Sequence, residues 1–301
     1  MAAASDVPSI NARVFLGGLY FGEGPRWHDG RLWYSDFYDH SVHAVSPDGE
    51  DELMVELDQP SGLGWMPDGS LLVVSMIDRR VLRWDGEVLT EHADLGDHAT
   101  FHANDLVVDS SGQAYVGNFG FDYDAYAEAH GPASLVGDPG PPTAVLCRVD
   151  PDGSVHAAAD GLSFPNGMAI TPDGGTLIVA ETFGMRLTAF DRSASGELGN
   201  RRVWADLAGR FVMPDGISLD AEGAVWVANA MGPECLRVAE GGDVLATVVT
   251  SQTAFACMLG GTAKRDLFVM TARTSQAGRA AASPQGRVEI ARVDVPGAGW
   301  P

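Results

Sequence analysis

The chain has 301 residues, 45% hydrophobic and 20% charged, with 19 basic against 41 acidic side chains and a formal net charge of −22 at pH 7. The composition is that of an ordinary soluble globular protein, and the sign of the charge argues against nucleic acid and anionic membranes, both of which attract basic surfaces. Three cysteines, Cys147, Cys235 and Cys257, show no CxxC spacing, so neither a disulfide framework nor a zinc knuckle is expected and they read as small buried apolar residues.

The N-terminal stretch MAAASDVPSINARVF has no basic segment leading into a long apolar core, and no run of 18 apolar residues follows. No secretory signal and no membrane span are expected, which makes the cytoplasm the expected compartment. Residues 11–19, NARVFLGGL, alternate as a strand. After it a phrase begins that returns six times: a short strand, an Asp-Gly-type turn, then a second apolar strand. The copies start at Gly22 (GEGPRWHDGRLWYSD), Pro60 (PSGLGWMPDGSLLVVSM), Ala103 (ANDLVVDSSGQAYVGN), Pro165 (PNGMAITPDGGTLIVAE), Pro214 (PDGISLDAEGAVWVAN) and, in worn form, Ala256 (ACMLGGTAKRDLFVMT). Several strands per copy at such a period predict an all-β, six-bladed β-propeller that forms one domain over 1–301. The blades fall at roughly 20–56, 57–97, 98–158, 159–206, 207–249 and 250–295. The 11–19 strand is expected to pair into the last blade, beside GRVEIARVDV from Gly286, because that removes an open edge.

Blade three carries an insertion at 119–143, FGFDYDAYAEAHGPASLVGDPGPPT. It leaves from the end of a second strand, so it is expected on the face where the phrases begin, as a lid carrying Phe121, Tyr123 and Tyr126.

The second residues of the phrases are Glu23, Ser61, Asn104, Asn166 and Asp215, with Ala256 aligned to them in the worn copy. The step from Ser61, Asn104, Asn166 and Asp215 to the turn glycine is always 8 residues, so the positions are equivalent and should converge near the axis, at one end of the channel. Four of them, Glu23, Asn104, Asn166 and Asp215, bear carboxylate or amide oxygens. Glu23, Asn166 and Asp215 suit a hard divalent cation, Ca2+ before Mg2+ or Mn2+; with no His or Cys on the ring, Zn2+ is the less natural alternative. Without a cation the two carboxylates would repel, pushing one toward protonation. The ends of the second strands, Ser35, Ser75, Asn118, Glu181, Asn229 and Thr271, are expected to add pocket residues, followed by Phe119, Phe183 and Met231 as an apolar wall.

The motifs FGEGPRW, HANDLVVDSSG, FPNGMAITPDG and MPDGISLDAEG, in this order, resemble the senescence-marker-protein/gluconolactonase (regucalcin-like) family over nearly the whole chain. The resemblance implies one divalent metal near the axis, ligated by Glu23, Asn166 and Asp215. It implies that Asn104 contacts substrate or a water on the metal, that Asp215 is the general base, and that the substrate is a small-molecule lactone or ester. One position departs from the pattern. Sugar-lactonase members carry Arg two residues before the Asn of the HANDLVVDSSG motif, where this chain has His102, which supplies one or two donors instead of a forked permanent charge. His102 is therefore expected to contact substrate and to shift preference away from polyhydroxylated sugar lactones. Phosphotriester hydrolysis on the same metal site, or a non-catalytic metal- or ligand-binding propeller, stands as the alternative. No GxSxG motif or Ser-His-Asp order is present, which speaks against a serine hydrolase.

Overall fold

The computed structural model describes residues 7–137 and 139–298. The phrase becomes the innermost strand of each blade: Gly22–His28, Pro60–Trp65, Ala103–Val108, Pro165–Ile170, Pro214–Leu219 and Thr253–Gly260. Three further antiparallel strands follow outward in each sheet. Consecutive inner strands lie side by side and the sixth returns to the first, so the six blades close into a ring.

Closure follows the sequence expectation. Arg13–Leu19 is the outer strand of blade six, antiparallel to Gly286–Arg292. A second tie was not legible: Ser9–Asn11 runs parallel to Val244–Val249 on the edge of blade five. One N-terminal segment thus covers the edges of two neighbouring blades.

The core lies between blades. Trp33, Val42 and Val55 of blade one meet Leu63, Leu71 and Val73 of blade two, and blade one's other face packs Leu32, Tyr34 and Val45 on Phe268, Met270 and Val288 of blade six. Both faces of a sheet are covered this way, which is why second strands such as Leu71–Ser75 are buried at every residue instead of alternating.

Two backbone devices aim the phrase at the axis. Between its first and fourth residues the inner strand takes three steps against two on its partner, as from Pro165 opposite Glu181 to Met168 opposite Val179. The same bulge recurs in blades two, three and five, and a bulge of this kind re-aims a side chain. The third residue is glycine in blades one, two, four and five, where adjacent inner strands touch. A Cβ on Gly62 would lie 2.2 Å from the Leu106 nitrogen, and one on Gly167 would lie 2.5 Å from the Asp215 carbonyl oxygen.

The register corrects the sixth copy. Ala254 faces Thr271 and Cys257 faces Val269, so the equivalent of Asn166 is Phe255. Ala256 holds the position of the phrase glycines and packs on Gly216. Among the described residues no helix is long and apolar enough to cross a membrane.

Candidate metal and substrate site

The expected ring residues are brought together and buried: Glu23, Ser61, Asn104, Asn166 and Asp215 all line the same end of the channel. Hydrogen bonds link Ser61, Asn104 and Asn166 in sequence around the axis. Ser61 Oγ donates to Asn104 Oδ1 at 3.3 Å, Asn104 Nδ2 donates to Asn166 Oδ1 at 3.0 Å, and Asn166 Nδ2 donates to Thr182 Oγ1 at 3.2 Å. Thr182 Oγ1 in turn donates to the Pro214 carbonyl at 2.8 Å, next to Asp215. Phe255 fills the sixth place with an aromatic ring 4.9 Å from that of Phe21.

Burial pushes the Glu23 carboxyl well above the usual carboxylate range, and the charges of Asp215 and Asp105 push the same way. Asp215 is raised by burial and by Asp105, against hydrogen bonds from Asn166 and the Gly216 N–H. Among the described residues no three His, Cys, Asp or Glu side chains converge on one point; the ring offers carboxylates and amides together.

Asp105 was missed by the sequence reading. It occupies the third phrase position, glycine in four other copies and alanine in the sixth, and that exception was visible in the sequence. Its partner is Arg26, buried in blade one, 3.5 Å away. Arg26 also donates to the Pro25 and Leu106 carbonyls. The charge of Asp105 reaches both Glu23 and Asp215. The Arg26 guanidinium also acts on Glu23, while Asp215 feels the charge of Asp105 instead.

The ends of the second strands do something else than expected. Register places Asp36, rather than Ser35, with Ser75, Asn118, Glu181, Asn229 and Thr271. These side chains fasten the chain as it enters or leaves the blade. Asp36 accepts from the Tyr20 and Phe21 N–H groups, and Asn229 Oδ1 accepts from those of Met213 and Met231. Glu181 is fully buried, accepts from the Ser163 N–H and Thr188, and is clamped by Arg186 and Arg201. It is a structural clamp, neither a solvated loop carboxylate nor a neighbour of the ring.

The layer above the ring comes from the residue two positions before each ring member: Phe21, Gln59, His102, Phe164, Met213 and, in the corrected register, Thr253. Phe164 and Gln59 hold φ of 59° and 41°, uncommon for side chains of this bulk and a mark of local constraint. His102 is half-buried, its ring centroid 4.0 Å from Phe101 and 5.8 Å from Phe119. Burial lowers its pKa, Arg79 assists, and Asp122 opposes.

The insertion folds into a helix, Tyr123–His130, capped by Asp122 through the Ala125 N–H, and a 3-10 turn, Pro132–Val136. Tyr123 packs 6.0 Å from Phe119 and 6.4 Å from Phe164 and meets Ser275 of blade six. Phe121 packs 5.9 Å from Phe183 of blade four. These partners follow second strands or precede inner strands, so the insertion lies over the end of the channel that holds the ring. Phe183 joins the wall on this side; Met231 is 55% exposed and does not.

The pattern described as "SMP-30/Gluconolactonase/LRE-like region" matches residues 21–273. The pentonolactonase of Haloferax volcanii is 28% identical over 300 residues, 96% of this chain and 96% of its own. The 6-deoxy-6-sulfogluconolactonase of Pseudomonas putida is 24% identical, over 93% of this chain and 94% of its own. A solved calcium-binding protein, regucalcin, from Agrobacterium tumefaciens superposes with a TM-score of 0.77 at 22% identity, over 97% of both chains, which shows the shared fold. The axial ring and the match over most of its length agree, and the chain belongs to the SMP-30/gluconolactonase/LRE-like family.

Proposed function

We propose that the protein is a divalent-metal-dependent hydrolase that opens lactones or cleaves small esters. The observation that carries this is the charge at the axis: Glu23, Asp105 and Asp215 are buried, and the one guanidinium beside them, that of Arg26, is paired with Asp105. Two uncompensated carboxylates in a desolvated place are costly alone and match one divalent cation. Glu23, Asp215 and the amide oxygen of Asn166 are the residues that would hold it, with Ca2+ favoured over Mg2+, Mn2+ and Zn2+ by the all-oxygen donor set. When bound there, the cation supplies Lewis-acid polarisation of an ester carbonyl and stabilisation of the developing oxyanion.

The protein's own groups divide the remaining work. Asp215 is the base that takes the proton of the attacking water. Asn104, held by Ser61 and Asn166, presents its amide to a substrate oxygen. His102 contacts the substrate one layer higher. Thr182 fixes the amide plane of Asn166 and so the direction of its oxygen. The 119–143 insertion acts as a lid of this single propeller domain, excluding water from the ring during the reaction. The buried free thiols of Cys147, Cys235 and Cys257 suit a reducing compartment such as the cytoplasm.

The test is proton release from a lactone and ester panel, after chelation and after return of each cation. Activity lost on chelation and restored by Ca2+ is expected; full turnover in the chelated protein would refute metal dependence, and no turnover on any member would refute the hydrolase.

A further inference from the structure

We propose that the substrate carries an apolar alkyl or aryl substituent on its lactone or ester, in place of a polyhydroxylated chain. The proposal rests on the reading of the site as a hydrolase and concerns what lies directly above the ring.

Backbone hydrogen bonds fix which residues border the channel there. Phe37, Phe119, Thr182 and Ala230 donate their N–H groups to the carbonyls of Phe21, His102, Phe164 and Met213, and Met76 donates to Gln59. Two concentric tiers therefore stand over the ring, one before each inner strand and one after each second strand. Their side chains are apolar except for Gln59, His102, Thr182 and Thr253, and Thr182 is already engaged by Asn166 and Pro214. Neither tier holds a carboxylate, a lysine or an arginine.

The apolar members form one continuous surface. Phe21, Phe37, Met76, Phe255 and Ala272 make a buried cluster against which Tyr38, Phe119 and Ala230 pack. Phe119 continues it to Phe164, with centroids 4.5 Å apart, and Tyr123 of the insertion closes over both. Phe255 adds an aromatic ring at the level of the ligands themselves. A polyol in this space would bury hydroxyls opposite carbon, with too few donors and acceptors to pair them. An alkyl or aryl group would exchange water for aromatic and thioether surface.

The metal-replete protein is tested with δ-valerolactone, its 5-pentyl homologue, dihydrocoumarin and glucono-δ-lactone. In parallel, calorimetry measures binding of the hydrolysis-resistant 5-pentyl δ-lactam against gluconolactam. The 5-pentyl lactone or dihydrocoumarin is expected to exceed glucono-δ-lactone at least about tenfold in kcat/KM, and the pentyl lactam to bind more tightly. Phe119→Ala is expected to narrow the ratio between the pentyl and unsubstituted lactones. Equal or faster turnover of glucono-δ-lactone would overturn the substrate class and leave the hydrolase standing. Preferential binding of the pentyl lactam with no hydrolysis of any lactone would keep the apolar site and overturn the hydrolase. Neither hydrolysis nor a lactam preference would overturn both.

Discussion

The amide of Asn104 donates to the amide oxygen of Asn166 at 3.0 Å, joining blades three and four across 62 residues of sequence. Each asparagine begins an ordinary-looking strand. Together they turn a set of turn-forming residues into a chain of oriented dipoles that runs through Thr182 to the Pro214 carbonyl, next to Asp215. That bond places the Asn166 oxygen at the axis, and the proposed roles of both residues depend on it.

A cation should stabilise the fold. Glu23 and Asp215 are both raised in pKa by burial and by neighbouring carboxylates, so ionising both is costly until a cation offsets their charge. Saturation at a hundred times Kd is expected to add about 2.7 kcal/mol. Thermal unfolding with Ca2+, Mg2+, Mn2+ and chelator measures it. The increment should be greatly reduced in Glu23→Gln.

Asp215→Ala should abolish lactone hydrolysis. Loss of the base alone is typically worth about 10²–10⁴-fold, and a ligand is lost with it. Steady-state kinetics at saturating metal, beside equilibrium dialysis of the ion, separate the two losses. Substantial turnover in a metal-loaded variant would remove Asp215 from the base role.

His102→Ala should change the ratio of kcat/KM between substrates more than it changes the chemical step. His102 stands one layer above the ring and touches Phe119. Competition between pairs of lactones reads this directly. A uniform drop on every substrate would assign His102 to the chemistry instead.

Glu181 gives a stability prediction with a sign. Burial would raise its pKa, but hydrogen bonds from Arg186, Thr188 and the Ser163 N–H outweigh it and hold the carboxyl below its usual range. A depressed carboxylate contributes stability above its unfolded value of about 4.3, and that contribution is lost as pH falls through the folded value. Glu181→Gln should cost roughly 3 kcal/mol at pH 7, the low end for a broken buried pair because both arginines reach water. Denaturant titrations should show the gap between variant and wild type closing in acid.

Gly167→Ala should damage the site from outside it. The new Cβ would meet the Asp215 carbonyl, the Ile217 nitrogen and the Gly216 Cα, all within 2.7 Å, so the strand carrying Asp215 must move. Overpacking of this kind costs about 1–3 kcal/mol. Weaker metal binding in a protein that still folds, measured by calorimetry, is the expected result.

The repeat, the closing strand and the members of the ring from Glu23 to Asp215 were legible in the sequence, because strand alternation and turn chemistry are local and recur at fixed steps; the boundary expected at 158/159 instead falls inside the strand Val155–Leu162. The worn sixth copy was not: whether Phe255 or Ala256 faces the axis depends on a bulge defined only by the partner strand. Asp105 could be seen as an exception to glycine, but its partner Arg26 lies 79 residues away and meets it only once the ring closes. Glu181 shares a register position with five other strand ends, and sequence could not say which way its side chain points. Side-chain direction at a bulge and pairing between blades are set by closure, so the tertiary structure alone turned these polar residues into ring, ion pair and clamp.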